Sequence, residues 1–268
     1  MNRKLPQRLY KGYVFDLDGT VYLGDALLPG AKRTVETVRR AGCRTAFVSN
    51  KPVATRQSYA DKLTRLGLPT PVEDIVNSSQ VLVRWLREHA PGARVFPIAE
   101  QVLIDELTQA GLVITDRPGE IEFVIASFDR TFVYRKLQIA FDAIRAGSRF
   151  VASNADAYCP VPGGGEPDAA CIIAAIEACT DHKVELIAGK PSALMARTAM
   201  AVLGTDPAES IMVGDRVETD ILMGRRAGMA TAMPLTGATT LEKLEHSEVQ
   251  PDFILERLDE LLPDGGKS

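Results

Sequence analysis

Phe15-Asp16-Leu17-Asp18-Gly19-Thr20 closes the first apolar run of the chain and sets two carboxylates two residues apart where a strand should end. Leu9, Tyr10, Tyr13, Val14 and Phe15 supply the aromatic and β-branched residues of a buried strand, and Gly19 breaks the run into a tight loop. Side chains two apart on a strand share a face, so Asp16 and Asp18 are expected to converge on one point. An ordinary turn also uses Asp-x-Asp-Gly, as does a calcium loop. The calcium loop needs further oxygen ligands and a closing Glu, whereas Val21, Tyr22 and Leu23 follow here.

Outward from this stretch the pattern alternates. A helix is expected over 31–41, closed by Gly42, then a strand over 43–48 ending in Ser49-Asn50-Lys51-Pro52. Helices follow over 54–66 and 79–89. Near the C-terminus come a helix over 193–203, a strand over 210–213, a helix over 220–227 and short strands near 229–232 and 252–255. The middle of the chain repeats the theme, with strands at 95–96, 123–126 and 150–152, helices at 102–110 and 134–145, and a helix over 169–179 after Asp168. Such alternation predicts an α/β fold: a Rossmann-like, doubly wound parallel sheet over 1–81 and 187–268, with an inserted α/β cap domain over 82–186. Gly163-Gly164-Gly165 is expected to form a flexible loop, without the spacing of a dinucleotide fingerprint.

The 268 residues are 46% hydrophobic with a net charge of −4, enough for a sizeable core. No Lys/Arg run exceeds pairs such as Arg39-Arg40, so the chain carries no global footprint for nucleic acid, and a small anionic ligand must be caught locally. No apolar stretch approaches the roughly 20 residues of a membrane span, and Met1-Asn2-Arg3-Lys4-Leu5-Pro6 lacks the apolar run of a signal peptide; a cytoplasmic location is the expectation. Cys43, Cys159, Cys171 and Cys179 are widely spaced, which predicts reduced thiols. Cys43, Cys171 and Cys179 are expected in the core, and Cys159 in a loop facing the substrate. His89, His182 and His246 have no ligand spacing and are expected at the surface.

Four strand-to-helix junctions carry polar residues: Asp16 and Asp18, Ser49-Asn50, Gly189-Lys190-Pro191, and Gly214-Asp215 to Asp220. In an open parallel sheet the carboxyl ends of strands form the ligand crevice, so these junctions can build one site. Together they suit a phosphoryl group. A carboxylate can attack phosphorus, two other acidic oxygens can hold Mg²⁺, and Ser, Lys and loop amides can bind the equatorial oxygens. A phosphate dianion among aspartates meets like charges, and Mg²⁺ with Lys190 offsets them.

These four ordered motifs resemble those of the haloacid dehalogenase superfamily, and the match covers nearly the whole chain. The long stretch between Ser49 and Lys190 resembles the branch with a large cap between the second and third motifs, which includes p-nitrophenyl phosphatase-like enzymes and sugar phosphatases of the N-acetylglucosamine and arabinose operons. The resemblance implies that Asp16 is the nucleophile and a Mg²⁺ ligand. It implies that Asp18 is the acid/base and lends its carbonyl to the metal, that Ser49 and Lys190 bind phosphate with help from Asn50 and the Gly19 amide, and that Asp215 is a metal ligand. Asp220 is left as outer-shell metal ligand, anchor for Lys190, or helix cap. Ser49 replaces the commoner Thr, and Lys51 stands where a second Asn is frequent. Asp18 argues against dehalogenases, which lack an acid there, and the short stretch from Asp18 to Ser49 leaves no room for a mutase-type cap.

The resemblance thus implies a Mg²⁺-dependent phosphatase of small phosphorylated metabolites, with specificity set by the cap. Asn154, Asp156 and Asp168 could face the substrate or serve as turn and helix caps. Polar cap residues without an aromatic platform favour a sugar phosphate; a nucleoside monophosphate, phosphoglycolate or pyridoxal phosphate is the alternative. A non-catalytic phosphometabolite-binding regulator has no need of both Asp16 and Asp18. Caps of this size often pair in the family, which leaves a homodimer through the cap open.

Overall fold

Tyr13, Val14 and Phe15 are fully buried, as a strand covered on both faces requires, and they form the strand Gly12–Asp16 at the centre of a sheet. The structure, a computed structural model, describes residues 4–161 and 164–263. The six strands are ordered Phe253–Leu255, Ala230–Pro234, Ser210–Val213, Gly12–Asp16, Arg44–Ser49 and Ile75–Asn77. Gly12–Asp16 runs parallel to both neighbours, with Phe15 opposite Val213 on one side and Phe47 on the other. The rings of Tyr13 and Phe15 stack with centroids 5.8 Å apart, and those of Phe15 and Phe47 with centroids 5.7 Å apart.

Local chemistry sets the helix ends around this sheet. Helix Ala31–Arg40 buries Ala31, Thr34, Val35 and Val38, a single stripe, and places Arg39 and Arg40 in its last turn, where the helix dipole favours cations. Helix Ala193–Leu203 begins at Ser192, whose hydroxyl accepts the Met195 N–H at 3.1 Å, and ends at Gly204 in the left-handed conformation.

The chain divides into two compact units. One comprises Met1–Ser49, Arg56–Val76 and Lys190–Ser268, the other Asn50–Thr55 and Asn77–Gly189. The second unit has its own sheet, ordered Leu186–Ile187, Arg149–Ala152, Phe123–Ala126, Arg94–Ile98 and Val113–Ile114, with every pair parallel. Its core joins Val124, Ala126 and Phe150 from the strands to Ala140 and Ile144 of helix Tyr134–Arg145 and Ile172, Ile173 and Ile176 of helix Ala169–Thr180.

Several local expectations are corrected. The central strand stops at Asp16, so Asp18 lies in the loop beyond it and does not share a strand face with Asp16. The helix expected over 220–227 is a π-helical turn, Val217–Ile221, followed by a short α-helix, Leu222–Arg226. Cys171 and Cys179 are exposed, because the buried stripe of their helix runs through Ala169, Ile172, Ile173, Ile176 and Thr180 and leaves both thiols outside it. Cys43 is half-buried, whereas Cys159 is buried in a strand of the hairpin Tyr158–Val161 with Gly164–Pro167. That hairpin also takes Gly164 and Gly165, expected in a loop; Gly163 lies outside the described residues. All three histidines are exposed. Among the described residues, no helix is long and apolar enough to cross a membrane.

Candidate active site

Ser210–Val213, Gly12–Asp16 and Arg44–Ser49 are neighbours in the sheet, and the two resolved pairings are parallel, so their carboxyl ends lie side by side. Asp16 and Ser49 end two of these strands and Asp215 follows the third; all three are buried. Lys190, which precedes helix Ala193–Leu203, is buried with them. An ammonium that leaves water needs anionic partners. Lys190 Nζ donates to Asp16 Oδ1 and lies 2.7 Å from Asp220 Oδ1. Burial alone would lower the Lys190 pKa, but the carboxylates of Asp16 and Asp220 outweigh it and hold the ammonium well above its ordinary value.

Asp220 is fully buried in the π-helical turn, and its Oδ2 accepts the Arg216 N–H at 3.0 Å. One oxygen is thereby ion-paired with the lysine and the other hydrogen-bonded by the backbone. Asp215 differs. Its Oδ2 accepts the Ala238 N–H at 2.5 Å, while its Oδ1 is buried with no hydrogen-bond partner among the described residues. The backbone crowds this carboxylate: a Cβ on Gly237 would stand 1.9 Å from Asp215 Oδ2, and one on Gly19 2.7 Å from it. Gly19 also has φ +91°, and its carbonyl accepts the Thr236 hydroxyl at 2.7 Å.

Asp16, Asp215 and Asp220 each offer an oxygen within 4.8 Å of the others. Three carboxylates face one ammonium here, and the orphaned Asp215 Oδ1 is the kind of buried acceptor that a hard cation satisfies. The cluster therefore fits a divalent cation. Asp16 and Asp215 are better placed as ligands than Asp220, whose oxygens already have partners. Burial first, and then the nearby Asp16, push the Asp215 carboxyl up to about 6. Burial also leads the rise of Asp220 to about 7, against the pull of Lys190.

Asp18 stands outside this cluster, in a loop where the N–H groups of Thr20, Val21 and Tyr22 all point to the Leu17 carbonyl. Its Oδ2 accepts the Tyr22 hydroxyl at 3.4 Å. The Gly19 N–H, expected to help bind phosphate, donates to the Tyr22 carbonyl at 2.9 Å, and Gly19 also makes a left-handed turn and leaves Asp215 free of a Cβ beside it. Ser49 Oγ lies 3.5 Å from the buried hydroxyl of Tyr59. No spacing rule links Tyr22 to an acid in a loop or Tyr59 to a hydroxyl at a strand end, so neither phenol stands out in the sequence.

In the second unit, Asn50, Asn154, Asp156 and Asp168 form one network. Asn50 Nδ2 donates to Asp156 Oδ1 at 3.3 Å, and Asn154 Nδ2 donates to Asp156 Oδ2 at 3.4 Å and to Asp168 Oδ1 at 3.0 Å. Asp168 Oδ1 also takes the Ala169 N–H and caps helix Ala169–Thr180. Asn154 Oδ1 accepts the Ser153 hydroxyl at 2.7 Å. Asn154 and Asp168 are buried, and only Asp156 keeps partial exposure.

A sequence profile of the haloacid dehalogenase-like hydrolases matches residues 13–113, and a second, HAD-hydrolase-like profile matches residues 187–261. The sugar-phosphatase AraL of Bacillus subtilis is 38% identical over 92% of this chain and 90% of its own length. An acid sugar phosphatase of Staphylococcus aureus is 32% identical over 94% of this chain and 97% of its own. The crystal structure of a 4-nitrophenylphosphatase from Thermotoga maritima superposes with a TM-score of 0.89 at 34% identity, covering 96% of this chain and 98% of that one. With the two profiles between them spanning Asp16, Lys190 and Asp215, the chain belongs to the haloacid dehalogenase-like hydrolases and is a phosphoric monoester hydrolase of that family.

Proposed function

We propose that the protein hydrolyses small phosphomonoesters, sugar phosphates foremost, through an aspartyl-phosphate on Asp16, with Mg²⁺ as the cation of the carboxylate cluster. The observation that carries this is the buried Lys190 ammonium shared between Asp16 and Asp220 beside the unpartnered Asp215 oxygen. A site built only to bind phosphate would collect cations, whereas this one concentrates carboxylates and holds a single lysine among them.

Asp16 attacks phosphorus as the bond to the leaving oxygen breaks, and Asp18 gives its proton to the departing alkoxide. Asp18 then takes a proton from water, which attacks the phosphoryl group and releases inorganic phosphate and free Asp16. Lys190 and Ser49 bind phosphoryl oxygens. Mg²⁺, held by Asp16, Asp215 and the Asp18 carbonyl, would supply neutralisation of phosphoryl charge. The sugar-phosphate preference rests on the relatives named for that activity and on Asp156, the half-exposed member of the polar network in the second unit.

The direct test is Asp16→Asn with p-nitrophenyl phosphate in Mg²⁺, which should abolish turnover; retained activity rejects the mechanism. Catalytic efficiencies across sugar phosphates, nucleotides, phosphoglycolate and pyridoxal phosphate would then settle the substrate class. A sugar phosphate that is not among the best esters rejects that part of the proposal.

A further inference from the structure

Tyr22 is 1% exposed, yet its hydroxyl reaches the carboxylate of Asp18. Two hydrogen bonds tie its backbone to the same loop and pair it with Asp18. The Tyr22 N–H donates to the Leu17 carbonyl at 3.2 Å, the Tyr22 carbonyl accepts the Gly19 N–H at 2.9 Å, and Tyr22 and Asp18 form an isolated β-bridge. Tyr22 then enters a short hairpin, Tyr22–Leu23 with Ala26–Leu27. The ring is held as firmly as the backbone: Lys62, from helix Arg56–Arg65, places its ammonium 3.7 Å from the ring centroid.

A loop carboxylate has no strand to orient it, and the central strand ends two residues before Asp18. A hydroxyl donor on a rigid, buried ring supplies that orientation, because hydrogen bonding to one carboxylate oxygen restricts rotation about the side chain and selects which oxygen exchanges a proton. A buried phenol in turn requires a polar partner for its tip. We propose that Tyr22 is a positioning residue for Asp18: its hydroxyl holds Asp18 Oδ2 and so orients the carboxyl group that passes the proton to the departing alkoxide. The inference rests on the acid/base role of Asp18 given above and extends it to a residue outside the four motifs.

The experiment separates proton donation from general damage by varying the leaving group. A p-nitrophenolate departs without a proton, whereas a sugar alkoxide needs one. Because kcat/KM reports only the steps up to alcohol departure, Tyr22→Phe should lower kcat/KM for a sugar phosphate about tenfold, the worth of one hydrogen bond to a charged group, while that for p-nitrophenyl phosphate stays nearly constant. The thermal midpoint, measured alongside, shows whether the variant is folded. Equal losses on both esters, or no loss on either, overturn the proposal. Asp18→Asn is measured in parallel and should cost the sugar phosphate about a hundredfold or more. If Asp18→Asn spares sugar-phosphate turnover, the acid/base reading itself fails; if it does not, and Tyr22→Phe shows no leaving-group dependence, only the role of Tyr22 fails.

Discussion

Lys190 Nζ and Asp220 Oδ1 lie 2.7 Å apart with both side chains out of solvent, and the same ammonium donates to Asp16. Asp220 therefore holds in place Lys190, the cation that the proposed phosphoryl chemistry uses. Removing one member of a buried ion pair leaves the other uncompensated, so Asp220→Leu should destabilise the protein by about 3–5 kcal/mol. The doubly substituted Lys190→Met, Asp220→Leu protein should be more stable than the sum of the two single losses indicates. Urea unfolding of the three variants checks this, and strictly additive losses would show that the pair is not energetically coupled.

The two raised carboxyls, Asp215 at about 6 and Asp220 at about 7, set a pH dependence. Both folded values lie above the ordinary carboxyl value of 3.8, so the metal-free folded state holds more protons than the unfolded chain between that value and about 7. Its stability should fall as pH rises across that window. A divalent cation requires the ionised carboxylates, so protons compete with it, and affinity should weaken as pH drops from about 7 towards 5. Thermal unfolding with and without Mg²⁺ at about pH 5 and about pH 8 is the measurement, and the increment from Mg²⁺ should be larger at the higher pH. An equal increment at both would remove the cluster as the binding site.

The exposed Cys171 and Cys179 should react rapidly with a disulfide reagent in the native state, Cys43 more slowly, and the buried Cys159 only on unfolding. Burial also pushes the Cys43 thiol up, which slows it further. Labelling followed by peptide mapping gives the order directly. Protection of Cys171 or Cys179 in the native protein would contradict the helix face assigned to them.

Cys171 and Cys179 also show where the sequence stops being informative. Helix Ala169–Thr180 is so rich in Ala and Ile that its period does not reveal which side is buried, whereas Ser192 and Gly204 bracket helix Ala193–Leu203 at both ends. Ile75–Asn77, Val113–Ile114 and Leu186–Ile187 are too short to carry a period of two, and they join their sheets through neighbours distant in the chain. The carboxylates of the site are legible because each follows an apolar run or opens a helix. Their partners are less so. The link between Asn50 and Asp156 spans 106 residues, and that between Tyr22 and Asp18 depends on a turn whose geometry Gly19 sets.

Gly237 gives the sharpest steric test of the cluster. An added Cβ would lie 1.9 Å from Asp215 Oδ2 and 2.4 Å from Asp215 Cγ, far inside contact distance, so Gly237→Ala must displace the carboxylate or the loop that carries Ala238. Either movement breaks the hydrogen bond from the Ala238 N–H that holds the Asp215 carboxylate in place. The overpacking should cost about 1–3 kcal/mol of stability, and the displaced ligand should weaken Mg²⁺ binding and lower turnover by about tenfold or more. Gly119→Ala, with no atom within 4 Å of the added Cβ and no left-handed backbone, is the control and should change neither quantity. Mg²⁺-dependent thermal shifts and phosphatase kinetics on the two variants make the comparison. Unaltered metal affinity in Gly237→Ala would mean that Asp215 does not need its present position to act as a ligand.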